Sequence, residues 1–202
     1  MLEYYRAHPL TAVLVIAAII AAVVIFIKVA AASERRARNN QKYIKKLEED
    51  KKLREKYSSL SAELISSSAP EELFRGVGLN LLKRVADKPD MQSEFDSLTE
   101  DQKLIYSAFV FAEDSAEGMS NFFKLNGKPV TGYALKAAQT FFDSDFASLV
   151  KFEYDAYDGD NEEVSCIPSE IEEADNKAKA YLTDDFGIKP GNYIKENSER
   201  FI

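Results

Sequence analysis

From Leu10 to Ile27 every position except Thr11 is apolar, and Val29 to Ala32 extend the run past a lone Lys28. A helix of a soluble domain keeps one polar face, and this run has none. About 20 apolar residues, each rising about 1.5 Å, cover the hydrocarbon core of a bilayer. Residues 10–32 are therefore predicted to form a transmembrane helix, with residues 1–9 beyond it. Lys28 stands near one end, where a long side chain reaches the head groups, and Tyr4 and Tyr5 suit the opposite interface. A cleaved signal peptide fits less well, although Ala30-Ala31-Ala32 resembles a cleavage site. Such peptides have a basic start and a shorter apolar stretch, whereas here Arg6 and His8 stand beside Glu3.

Beyond the anchor the pattern changes. Residues 33–69 are rich in Ala, Glu, Lys, Arg, Gln and Leu and hold no Gly or Pro, so a charged helical stalk is expected. Leu53, Tyr57, Leu60 and Leu64 repeat at the spacing of a coiled-coil seam. The repeat covers only about two heptads, too few for a sustained coiled coil. One helix continuing from the membrane, with this stripe resting on the domain or on nothing and weak self-association at most, is the expectation. Ser66-Ser67-Ser68-Ala69-Pro70 breaks the pattern and is taken as the boundary of a soluble domain over residues 70–202.

In that domain Pro70-Glu71-Glu72 opens a helix, with Leu73, Val77, Leu81, Leu82 and Val85 on its buried face and Gly76 and Gly78 weakening its middle. Thr99 and Gln102 have capping-box spacing ahead of an apolar helix through Leu104 to Ala112. Turns are expected at Asp87-Lys88-Pro89-Asp90, Asn126-Gly127-Lys128-Pro129 and Lys189-Pro190-Gly191-Asn192. Aromatic-rich helices are expected over 133–142 and 146–157. A further helix, capped at Ser169, runs from Pro168 to about Leu182, and a short one closes the chain. Alternating β patterns are scarce, so the fold class is all-α: anchor, helical stalk, then a compact multi-helix bundle.

Charge separates these parts. Residues 1–65 carry 12 Lys and Arg against 7 Asp and Glu, and residues 66–202 carry 14 against 27, so a segment of +5 precedes one of −13. Arg35, Arg36, Arg38, Lys42, Lys45 and Lys46 follow the anchor closely. Such clusters stay cytoplasmic and contact anionic lipid. The expected placement is the inner (plasma) membrane, N-terminus out and C-terminal domain in the cytoplasm. Direct nucleic-acid binding is not expected of the acidic domain, because phosphate binding depends on Lys and Arg.

Candidate chemistry is sparse. The lone histidine, His8, lies across the anchor, and Cys166 has no histidine to activate it. Gly76-Val77-Gly78 lacks the third glycine of a dinucleotide fingerprint. An EF-hand frame starting at Asp158 puts Glu163 and Ser169 where Gly and Glu are required. No catalytic residue, metal or cofactor is nominated, and a non-enzyme is expected. On the helix after Pro168, Glu170, Glu172, Glu173 and Asp175 form the candidate partner-binding surface, with Ile171, Ala174 and Ala178 on the buried side.

Some segments carry a likeness. Glu113 precedes Gly118-Met119-Ser120-Asn121-Phe122-Phe123, with Asn126 shortly after; Phe152 to Tyr157 and Tyr193 to Phe201 are further acidic-aromatic stretches. Over about residues 95–202 the chain resembles the DUF4375 family of bacterial all-helical domains, one member of which is a DNA mimic. Ala116, Glu117 and Met119 depart from its pattern. The resemblance implies a helical bundle with a binding role and supplies no catalytic residue. The expected function is a membrane-tethered module binding a basic protein partner, with DNA-mimic-like sequestration of a nucleic-acid-binding protein, or an uncharacterised enzyme, as alternatives.

Overall fold

The computed structural model describes Lys28, residues 40–157 and residues 168–202. The predicted anchor therefore lies outside the described residues, Lys28 excepted. No helix among the described residues is long and apolar enough to cross a membrane. The chain divides into two compact units, residues 1–49 and 50–202. In the first, residues 40–49 are helical, and Lys45 pairs with Glu49 at 3.7 Å.

The second unit is all-helical among its described residues. Its helices are α1 (50–56), α2 (Ala62–Ser67), α3 (Pro70–Ala86), α4 (Met91–Asp96), α5 (Glu100–Asp114), α6 (Met119–Leu125), α7 (Val130–Phe141), α8 (Ser144–Ala156), α9 (Pro168–Ala178) and α10 (Ile188–Glu196). Single 3-10 turns span Asp184–Gly187 and Ser198–Arg200. Helices α3 and α5 pack against each other at the centre. Helix α10 lies on α3, α7 on α5, and α8 on α7, while α9 contacts α6 and α8. Phe111 sits among Phe122, Phe146 and Phe186, with ring centroids 5.0–6.3 Å away. Edge-on packing against Phe122 and Phe146 and stacking against Phe186 add to what area burial alone provides.

Local signals explain most helix starts. Thr99 and Gln102 form the capping box in full, each side chain meeting the other's amide at 3.2 Å. Pro70 is the first residue of α3, where the missing N–H costs nothing. Helix α4, absent from the sequence reading, is capped by Asp90, which accepts from the Ser93 amide at 3.0 Å. Asp143 does the same for α8 through the Phe146 amide at 2.9 Å.

Three expectations are corrected. The domain boundary at 69/70 falls inside the compact unit, which begins at Asp50. Tyr57 and Ile65 are only 2% and 1% exposed, and Leu53, Leu60 and Leu64 pack against the same core, so the stripe assigned to a stalk outside the domain is part of the domain's core. The helix also breaks after Lys56, and Ser61 caps a new one. That turn lets the Tyr57 ring lie on Gly76, and the Tyr57 hydroxyl reaches Ser68 Oγ at 2.8 Å. Gly76 and Gly78 are thus not weak points of α3: a side chain at either would enter the Tyr57 or the Phe109 ring.

The turn expected at Lys189-Pro190-Gly191-Asn192 lies inside α10. Proline is tolerated in a first turn, where its amide has no intrahelical acceptor. Gly191 is set by packing, since a Cβ there would collide with the Pro70 carbonyl. Gly→Ala in an exposed helix ordinarily stabilises. Gly191→Ala is expected to do the opposite, lowering stability by about 2 kcal/mol through overpacking. A thermal melt at or above the parent's would remove the α3–α10 approach as its reason.

Candidate functional site

The sequence-nominated acids have different fates. Glu170, Glu172 and Glu173 are exposed on α9, and Ile171, Ala174 and Ala178 form its buried side, as expected. Glu173 pairs with Lys177 at 2.7 Å. Ser169 is already helical, so it is not the cap it was expected to be. Asp175 turns inward: it accepts the Ser120 amide at 2.8 Å and the Ser120 hydroxyl at 2.7 Å. It is therefore an internal ligand to the start of α6 and is removed from the partner-facing set. Of the basic cluster, Arg35, Arg36 and Arg38 lie outside the described residues. Lys42, Lys45 and Lys46 are exposed on helical residues.

Beneath Asp175 lies a group the sequence reading missed. Glu153 of α8 is 0% exposed, neither carboxyl oxygen meets a donor, and only as the neutral acid does it hydrogen-bond, to the Asp175 carboxyl. Burial in the first place, and the Asp175 carboxylate in the second, push its pKa up to about 8, with Lys124 opposing. A lone buried carboxylate is costly, so the neutral acid is favoured. Lys124 Nζ donates to Ser120 Oγ at 3.3 Å and lies 5.8 Å from the centre of the Tyr157 ring. Ser120, Lys124, Tyr157 and Asp175 line a cleft of about 310 Å³. Ser120 is buried, and its hydroxyl is engaged on both sides, so this set joins α6, α8 and α9 rather than presenting a nucleophile. Nothing local marked Glu153 out, because it stands among the acids of a helix whose aromatic pattern alone is readable.

The motif behind the family resemblance has structural duties here. Gly118 adopts φ +147°, and a side chain there would meet the Asp175 carboxylate. Asn121 donates to the Asp114 carbonyl at 2.8 Å, and Asn126 to the Asp114 carboxylate at 2.8 Å. Phe122 and Phe123 enter the aromatic core. The motif thus shapes the α5–α6 corner and positions the Ser120–Asp175 contact.

On the other side of that corner runs a larger groove of about 600 Å³. Phe74, Phe109, Ala112 and Phe186 supply its apolar wall, and Glu71, Glu72, Glu113 and Asp184 its carboxylates. Arg75 also lines it, but its guanidinium is held by Asp50 at 2.7 Å, and Glu72 is held by Lys56 at 2.7 Å. Among the described residues no group of three or more His, Cys, Asp or Glu comes together as a metal site. Cys166 and the acids Asp158 to Glu163 lie outside the described residues.

Comparison with known proteins finds no matching family model, no matching curated protein and no matching solved structure.

Proposed function

We propose that this protein is a membrane-tethered interaction module. Residues 10–32 anchor it in the inner membrane, Arg35 to Lys46 lie against anionic lipid, and the acidic helical unit binds a basic protein on the cytoplasmic side. The observation that carries this reading is the segregation of charge. Residues 50–202 hold 18 Lys and Arg against 30 Asp and Glu, a balance of −12, behind a segment of +4. A field of that sign raises encounter rates with cationic partners and disfavours anionic ones. The DUF4375 resemblance is in keeping with a binding role.

Ion pairing supports a general module over a DNA mimic. Glu94, Asp155, Glu173 and Glu72 are each matched to a nearby Arg or Lys at 2.6–2.7 Å. Carboxylates neutralised in this way are poor imitations of a bare phosphate row.

Two measurements test the proposal. A reporter fused after Ile202 is expected to behave as cytoplasmic, with a fluorescent protein bright and a phosphatase inactive. The reverse pattern would move the partner to the other side of the membrane. Full-length protein solubilised from membranes is expected to capture basic proteins that elute as salt rises. Efficient turnover of a defined substrate, without such capture, would replace binding by catalysis.

A further inference from the structure

We propose that the groove bounded by α1, α3 and the Asp184–Gly187 turn is the docking site, and that its occupant is a basic protein segment carrying one large aromatic side chain; this rests on the protein-binding reading above. Two independent features identify the occupant. The first is size and surface: about 600 Å³ with Phe74, Phe109 and Phe186 in its wall accommodates one or two large side chains rather than a folded surface.

The second is charge. Glu71 and Asp184 line the groove and have no ion-pair partner among the described residues. The groove's own cations are Arg75, matched by Asp50, and Lys179, whose ammonium donates to Asn176; the four lining carboxylates outnumber these two. A cationic segment complements this rim, and an acidic one is repelled.

An aromatic anchor with a polar tip, tyrosine or tryptophan, covers the apolar wall and keeps its polar end at the charged rim. Such anchors dominate binding in small grooves.

The test uses the full chain in nanodiscs of zwitterionic phosphatidylcholine, titrated into fluorescent peptides and followed by anisotropy. One peptide carries Tyr between Arg residues, a second replaces Arg with Glu, and a third replaces Tyr with Ala. The first is expected to bind, and the other two at least about tenfold more weakly. Two altered proteins locate the site: the double variant Glu71→Lys with Asp184→Lys, and Ala116→Trp, which fills the groove from an exposed position. Each is expected to weaken the first peptide by about tenfold or more while keeping a native helical spectrum. Should the double variant fail to fold, Ala116→Trp alone decides. Unchanged binding to Ala116→Trp, or equal binding of the Tyr and Ala peptides, would overturn the groove assignment and leave the general binding reading standing. Absence of binding by every Arg peptide would overturn both.

Discussion

Glu153→Gln is expected to stabilise the protein at neutral pH and to remove a large part of its pH dependence. The sign follows from the direction of the shift. In the folded chain the Glu153 carboxyl titrates at about 8, against 4.5 for a free glutamate. The folded state therefore holds a proton that the unfolded state releases. That contribution is fully present below about pH 4.5, declines as pH rises, and is lost once pH has passed through about 8. At pH 7 holding the proton costs about 3 kcal/mol, from about 1.4 kcal/mol per pH unit. Glutamine has the same shape, stays neutral, and still offers an N–H towards Asp175. The variant should melt on the order of 5–10 °C higher at pH 7, with the advantage growing towards pH 8 and vanishing near pH 4.5. Parallel profiles for the two proteins across that range would mean that Glu153 does not titrate as its surroundings dictate.

Removing residues 1–69 is expected to unfold the domain, whereas removing residues 1–49 is not. A fragment starting at Pro70 begins at a good helix N-terminus and looks complete by its own periodicity. It nevertheless lacks Tyr57 and Ile65, both almost fully buried, along with Leu53, Leu60 and Leu64. Loss of one large buried side chain costs roughly 2–5 kcal/mol, and whole-domain stability is about 5–15 kcal/mol. Loss of two, together with the apolar partners around them, consumes most of that margin. The shorter fragment should show a broad, weakly cooperative transition or none, and the 50–202 fragment a sharp helical melt. Identical cooperative melting of the two would return residues 50–69 to the role of a stalk.

Both expectations depend on contacts across long stretches of chain, and this is where the sequence reading stopped. Features that act within a few residues were legible. The Thr99–Gln102 capping box, Pro70 at a helix start and the buried side of α9 at Ile171, Ala174 and Ala178 all form as read. Caps and amphipathic faces are satisfied by neighbours three or four positions away, so their signal is complete in the local sequence. The misreadings share the opposite property. Gly76, Gly78 and Gly191 look like helix weaknesses until the Tyr57 ring, the Phe109 ring and the Pro70 carbonyl are brought against them. Tyr57 reads as a stalk residue because periodicity reports an apolar face and not what buries it.

The candidate site divides in the same way. An acidic domain behind a basic segment is a property of composition and was determined by the sequence alone. Which acids remain available to a partner was decided only by the tertiary structure. Asp175 is spent on Ser120, 55 residues away. Glu153 is stripped of water and placed beside it, and Glu71 and Asp184 meet across one groove. An acidic side chain carries the same letter whether solvated, paired or buried. Its charge state depends on desolvation and neighbouring charge, and those exist only once distant segments have packed.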